Sequence, residues 1–477
     1  MEDRQWTRKL IVSVAVACFG SLQYGYHMSE LNGPSSVLSC QGDIPVPGIE
    51  YGETFFGKIG ASQCIPMDDQ GLGLVTAIFS IGGLASSYYA GHLADKYGRK
   101  TTLLFNGAIF VFGSLIETFA NTSTILAIGR FFSGFGAGCA IVVTPLIINE
   151  MSPHGLKGFL GSMNQVAINI GILTTQILAV SWANSIQWRY LLLVGALLGA
   201  LNSLFVYFFI EESPKWLAVN GDLVQAREVI FKLRGDFSLV DQEIRSYGSE
   251  TQESLLESGS IEEAAKPVVS LSNYVSDPLY RKSFIVVTAV LAGQQLCGIN
   301  SIVFYGVGTI RKILPNWAVL INCGISFGNA LITFLAAPLV DSHGRKPCLL
   351  GSVTVMGISS VLMAIGILQS IPVATVLATF TYVASFAMGL GPIPFLLIPE
   401  VTQSEARGAA QSYGTCVNWI TTFLIGYLFP IADSLIGGYV YLCFAAICAS
   451  FVVFVKTGLP ETKGKKTYEE VWALRVD

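Results

Sequence analysis

Five amide side chains, Gln165, Gln294, Gln295, Asn300 and Asn329, stand in stretches that are otherwise almost wholly apolar. An unpartnered polar group in hydrocarbon is expensive, so each of them needs a reason to be there. An amide both donates and accepts hydrogen bonds, as a hydroxyl does. A ring of amides therefore suits an uncharged solute bearing several hydroxyls, and needs no buried ion. For any one of them the plainer reading is glue between helices. Gln294 and Asn300 are six positions apart and would not share a face of one unbroken helix. A break at Gly298 would let them converge. Phe304, Tyr305, Phe386, Phe395 and Trp419 offer flat faces for the C–H surface of such a solute. Singly, each is more often core or lipid-facing; Trp419 beside Asn418 is the best placed.

His27 and Glu30, one turn apart in another apolar run, suggest chemistry of a different kind. Histidine changes charge between pH 5 and 8, and an ionisable group inside a membrane helix is a functional candidate by default. The pair predicts a proton-coupling or pH-sensing site. The competing reading is a neutral, hydrogen-bonding His27 in a passive carrier. The sequence has no nucleophile–base pair, Walker-type loop or Cys/His cluster, so we expect no enzyme activity, no ATP drive, no metal and no cofactor.

The elements that must hold these residues follow from composition. Of 477 residues, 52% are apolar and 13% charged, against about 25% charged in soluble domains. Mean hydropathy is +0.58. The apolar residues gather into runs long enough to cross hydrocarbon about 30 Å thick as helices. We expect an all-α membrane protein with twelve spans. They fall near 10–31, 72–94, 101–120, 124–147, 161–182, 188–210, 283–310, 317–340, 347–369, 372–398, 409–433 and 438–457. The run Leu10–Leu31 reads as the first span rather than a signal peptide, because it has no small-residue cleavage site. The predicted domains are a first six-helix bundle (1–210), a charged linker with short helices (211–282), a second bundle (283–457) and a tail (458–477). Gly389-Leu390-Gly391-Pro392-Ile393-Pro394 breaks the tenth span, as a gating hinge or a static kink.

Lys and Arg in short loops set orientation. Arg8, Lys9, Lys96, Arg99, Lys100, Lys157, Arg345, Lys346 and Lys456 all fall on one side if both termini and the linker are cytoplasmic; Arg311 and Lys312 are exceptions. Loop 38–70 then faces an oxidising space. A Cys40–Cys64 bridge is expected there, against two free thiols. The sequon at Asn121 hugs the membrane and is expected to stay unmodified. The net charge of −4 and the lack of a basic stripe give no reason to expect a nucleic-acid partner.

The two halves repeat one another. GHLADKYGRK (91–100) matches PLVDSHGRK (338–346), pairing Asp95 with Asp341 and Arg99 with Arg345. Glu150 and Lys157 match Glu400 and Arg407, and Glu212 matches Glu461. Parallel repeats of this kind build transporters whose site lies between the halves. The matched charges predict a state-dependent latch at the cytoplasmic helix ends. A purely topogenic role would explain the Lys and Arg but not the acids.

With GRFFSGFGAG (129–138), EESPKWL (211–217), QQLCGIN (294–300), GLGPIPF (389–395), NW (418–419) and PETKGK (460–465) added to these motifs, the chain resembles the sugar porter family of the major facilitator superfamily over nearly its whole length. QYGYHMSELNGP (23–34), GSMNQVAINIGIL (161–173) and the overall length are similar to fungal vacuolar-type hexose transporters, and the chain is also similar to facilitative glucose transporters. The resemblance implies two six-helix bundles, a cytoplasmic helical linker and alternating access. It implies Gln165, Gln294, Gln295, Asn300, Asn329, Asn418 and Trp419 as sugar ligands, with Gln23 near them. Three positions depart from the pattern. His27 stands where proton-coupled members have Asp, Ala387 where glucose facilitators often have Glu, and Phe395 where Trp is usual. The expected partners are a sugar, the lipid bilayer and, if His27 couples, protons. The expected assembly is a monomer. The vacuolar membrane is favoured over the plasma membrane, and Leu255-Leu256 is a near miss for a dileucine sorting signal. A sugar sensor usually carries a long cytoplasmic tail and the tail here is short, so transport is the favoured activity, with a polyol as the alternative cargo.

Overall fold

The structure, a computed structural model, describes residues 6–153, 156–236, 240–241, 243–244, 269–465 and 468–473. Leu255-Leu256 lies outside the described residues, as do the side chains of residues 158, 337–342 and 404, Asp341 among them. The described chain is helical. The first half holds α1 (Arg8–Ser29), α2 (Asp69–Tyr97), α3 (Arg99–Thr118), α4 (Ser123–Met151), α5 (Lys157–Trp182) and α6 (Trp188–Phe209). The second holds α7 (Arg281–Leu296), α8 (Ile299–Arg311), α9 (Ala318–His343), α10 (Arg345–Leu368), α11 (Pro372–Met388), α12 (Ile393–Val401), α13 (Arg407–Ile436) and α14 (Val440–Gly458). Among the described residues, eleven stretches are long and apolar enough to cross a membrane, and the last of them, Arg407–Gly458, contains two helices. The total is twelve spans in two six-helix bundles.

Two of those spans are broken. The seventh stops at Leu296 and restarts at Ile299, turning through Gly298 at φ +101. That region strongly favours glycine, and a Cβ at Gly298 would also meet the Phe444 ring at 2.7 Å. The carbonyls freed by the break are caught: Tyr382 donates to Cys297 O (2.7 Å) and Ser301 to Gly298 O (2.7 Å). The tenth span stops at Met388 and restarts at Ile393. There the Ser352 hydroxyl accepts from Leu390 N (3.0 Å) and donates to Ser385 O (2.6 Å).

Within the first bundle α1 packs on α5, α2 on α4, and α3 on α6; in the second, α10 packs on α11 and α14. The bundles meet along α2–α13 and α5–α9. Small residues let backbones touch. A Cβ on Gly25 would lie 1.9 Å from Ile168 O, and one on Gly171 1.9 Å from Leu22 O, so α1 and α5 cross with nothing between them. One end of the molecule carries a disulfide joining Cys40 to Cys64. Its loop is tied down by Trp188 Nε1 to Gln63 O (2.8 Å) and Arg189 Nη2 to Ser62 O (2.7 Å). Asn121 Oδ1 accepts from Ser62 N (2.9 Å) there. At the opposite, charged end the linker helix Leu223–Arg234 is pinned beneath the first bundle. Thr7 donates to Leu233 O (2.7 Å), and Arg234 donates to Met151 O (2.7 Å) and pairs with Glu243 (2.8 Å).

Candidate functional site

The two helix breaks face one another, and Gln294 joins them. Its amide nitrogen donates to Leu390 O (2.9 Å) and Gly391 O (2.8 Å), both in the gap of the tenth span. Its carbonyl accepts from Asn418 Nδ2 (2.7 Å). Gln294 is therefore fully engaged by protein. Beside it Asn300 Nδ2 donates to Gln295 Oε1 (2.6 Å), which leaves Asn300 Oδ1 buried without a donor. Tyr305 donates to Gly426 O (2.6 Å). Trp419 follows Asn418 on α13 and crosses to the other bundle, where its indole N–H reaches Ser87 Oγ (2.9 Å). Phe395 is half-buried against the second bundle's core. Gln294, Gln295, Asn300, Asn418 and Trp419 are thus brought together where the broken spans meet the first bundle. A buried acceptor with no donor beside an exchangeable amide network is what a hydroxylated solute would complete.

Three expected ligands lie outside this network. Asn329 Nδ2 reaches Asn169 Oδ1 (3.4 Å), and Asn169 itself donates to Thr333 (2.7 Å). Asn322 donates to Gln176 (2.9 Å) nearby. These amides stitch α5 to α9, as glue. Gln23 is fully buried, its nitrogen turned to Gly195 O (3.5 Å) inside the first bundle and its oxygen without a donor. Gln165 is half-buried with no protein partner among the described residues.

The bundles are also clamped at the disulfide end. Asn32 Nδ2 donates to Ile302 O (3.3 Å) and Val303 O (2.9 Å), while its Oδ1 accepts from Val307 N (3.0 Å). One side chain of the first bundle thereby grips the main chain of α8.

His27 and Glu30 lie deep in the first bundle, both without exposure. His27 Nδ1 sits 3.0 Å from Glu30 Oε2, and its ring stacks on Phe110 with centroids 5.0 Å apart. Two residues that sequence reasoning did not single out complete the pocket. Arg130 donates to Glu30 Oε1 (2.7 Å) and to His27 O (2.6 Å). Glu117 accepts from Ser133 (2.6 Å). Ligating atoms of His27, Glu30 and Glu117 lie within 4.8 Å of one another. The signal was present, since Glu117 and Arg130 each sit alone in an apolar run.

At the charged end the repeated motifs form repeated clusters. Arg99 grips Glu150 with two bonds of 2.8 Å and pairs with Asp95 at 3.0 Å. Glu212 accepts from the N–H groups of Arg99 (2.8 Å) and Lys100 (3.1 Å), capping α3. Arg345 grips Glu400 at 2.9 and 3.1 Å, and Glu461 accepts from the N–H groups of Arg345 (3.1 Å) and Lys346 (3.0 Å). Gly98 and Gly344 precede these caps at φ +93 and +99. Lys157 and Arg407 form no ion pair with either cluster among the described residues. Burial pushes the Glu212 carboxyl above its ordinary value, against the N–H groups of Ser213, Lys100 and Arg99. Burial pushes Glu461 the same way, but the N–H groups of Lys463, Arg345, Lys346 and Thr462 together outweigh it, and its carboxyl lies below the ordinary value.

The profile of the family described as "Sugar (and other) transporter" matches residues 13–473. The chain belongs to the sugar (and other) transporter family. This family comprises transporters rather than enzymes, and the chain is a multi-pass membrane transporter of the sugar porter type. A probable metabolite transport protein of Saccharomyces cerevisiae is 46% identical, over 98% of this chain and 96% of its own. The vacuolar protein sorting-associated protein 73 of the same yeast is 41% identical, over 96% and 94%. The facilitated glucose transporter member 3 of Gallus gallus is 30% identical, over 98% and 92%. Among solved structures, the inward-open xylose transporter XylE of E. coli superposes with a TM-score of 0.77 at 22% identity, over 98% of this chain and 99% of that one. That sugar porter shares the fold, twelve helices in two bundles.

Proposed function

We propose that this sugar porter carries a hexose-type sugar by alternating access. Residues 1–210 and 283–457 are the moving bundles, the linker 211–282 and both termini are cytoplasmic, and the protein acts as a monomer. The observation that carries the reading is the amide network at the facing helix breaks. Gln295, Asn300 and Asn418 offer neutral donors and acceptors beside Trp419, and Gln165 brings an unpaired amide from the opposite bundle. An uncharged, hydroxyl-rich ring matches that chemistry; an ionic solute does not. The Gallus gallus relative is a facilitated glucose transporter, which favours a hexose over a polyol. The name of the yeast vacuolar protein sorting relative favours the vacuolar membrane over the plasma membrane. The buried pocket around His27 and Glu30 favours proton-linked transport over simple facilitation.

Purified protein in liposomes tests this with labelled hexoses and polyols, with and without an imposed pH gradient. Saturable hexose counterflow is expected, lost on Asn300→Ala. Binding without flux would make the protein a sensor, and preference for a polyol would overturn the hexose assignment.

A further inference from the structure

We propose that the proton of this transporter is carried by Glu117 and shared with Glu30, rather than by His27, and that Phe79 and Trp419 connect its site to the sugar site. The inference rests on the transport reading above and adds a residue and a route.

The argument begins from charge. The pocket is fully buried, and a buried charge needs compensation. Arg130 supplies one permanent positive charge. Glu30 takes it up, accepting from Arg130 Nη1 at 2.7 Å and lying 3.0 Å from His27 Nδ1. With Nδ1–H donating to Glu30, His27 is neutral and its Nε2 is left to accept from Ser114 Oγ at 3.5 Å. The Glu30–Arg130 pair is then complete. Glu117 is left over. One oxygen accepts from Ser133, and the other, Oε2, is buried with no donor. A second carboxylate in contact range of Glu30 is not tolerated in its ionised form, and two such groups share one proton. A proton on Glu117 therefore brings the pocket to neutrality. A metal ion would meet the same three side chains, but Arg130 already provides the cation that Glu30 requires.

The charged and titratable groups around the pocket are few. From α1 come His27, Glu30 and Tyr26, whose hydroxyl is bound to Leu191 O (2.6 Å). From α3 comes Glu117, and from α4 Arg130. On α6, Arg189 is spent on Thr118 O (2.6 Å) and Ser62 O. Where α8 of the second bundle approaches, Tyr305 is bound to Gly426 O. α2 presents Phe79 to Arg130.

That phenylalanine is the link. The Arg130 guanidinium lies over the Phe79 ring, 4.6 Å from its centre. Phe79 meets Trp419 edge to face at 6.3 Å, and Tyr24 bridges both rings. Trp419 belongs to the opposite bundle and follows Asn418 of the sugar site. When Glu117 loses its proton, Arg130 must answer two carboxylates instead of one. It shifts on Phe79, and Trp419 feels the change. Arg130 Nε and Nη2 have no protein acceptor, so the guanidinium keeps donors to offer a second carboxylate.

The test is hexose binding to the purified full chain, followed from about pH 5 to about pH 8. One linked proton changes the affinity by up to about ten-fold per pH unit. We expect wild-type Kd to rise with pH, and Glu117→Gln to hold Kd flat near the low-pH value, because the Gln amide donates to Glu30 as the protonated carboxyl does. Proton uptake on adding hexose to wild-type protein in weak buffer reads the same event without a variant. Glu117→Gln with the wild-type pH profile, or wild-type protein that takes up no proton, would overturn the assignment. A His27→Asn protein that loses the pH dependence while Glu117→Gln keeps it would move the proton to the imidazole. If wild-type liposomes show no hexose counterflow, it is the transport reading that fails; if counterflow is present and proton uptake absent, hexose transport stands and the proton linkage, with this inference, fails.

Discussion

The two bundles are alike at one end and unlike in the middle. At the charged end each has an arginine gripping a glutamate and a second glutamate capping the next helix. Arg99, Glu150 and Glu212 do this in the first bundle, and Arg345, Glu400 and Glu461 in the second. At mid-depth the first bundle buries two carboxylates, a histidine and an arginine, while the second gathers neutral amides around two broken helices. The repeated sequence motifs thus build the same helix-end clusters twice, while the interiors differ: one half buries charge, the other neutral amides.

The sharpest way to break this likeness is at the arginines. The Arg99–Glu150 side chains are 9% and 7% exposed, those of Arg345–Glu400 16% and 28%. Removing one partner of a buried pair costs about 3–5 kcal/mol, and an exposed pair is worth far less. Arg99→Ala is expected to lower the thermal stability of detergent-solubilised protein clearly more than Arg345→Ala; equal losses would mean that exposure does not govern the two clusters.

The disulfide belongs to the first bundle alone. It closes 24 residues, worth about 3 kcal/mol of chain entropy. A Cys40→Ser, Cys64→Ser double variant should lose that much stability, read as an earlier melting transition, and dithiothreitol should then have no additional effect.

Gln294 tests the neutral interior. Leaving its buried acceptors unsatisfied costs about 1–3 kcal/mol, so Gln294→Ala is expected to slow hexose counterflow about 5- to 150-fold. Glu117→Gln should instead change the pH profile, and a variant pair with exchanged effects would end the division of labour.

The smallest contrast is in pH. A carboxyl whose folded value is raised, as for Glu212, gives the folded state more support as pH falls through the window above 4.5. A lowered one, as for Glu461, loses its support as pH falls through the window below 4.5. The penalty of Glu212→Gln should therefore grow on acidification and that of Glu461→Gln shrink. Melting curves from pH 7 to pH 4 and below check the two slopes, and slopes of the same sign would refute the assignment.

Much of this was legible in the sequence. Twelve apolar runs gave the spans, because length and hydropathy alone decide membrane helices. Gly298 and the Gly389–Pro394 stretch marked both breaks, since glycine and proline act locally. Bond partners were harder. Lys157 and Arg407 share a spacing from their acids, yet spacing along the chain does not say which way an exposed side chain turns. Asn329 looked like the other amides, but only the packing of α5 on α9 makes it a stitch. Glu117 has no counterpart in the second half and no motif around it, so a reading led by repeats passed over the one acid that an apolar helix had most reason to exclude.

Asn32 closes the disulfide end by holding peptide groups of α8, not its side chains. A seal made to the main chain is blind to which residues line the passage behind it. Substitutions on α8 can therefore alter the site behind it without loosening this contact between the bundles.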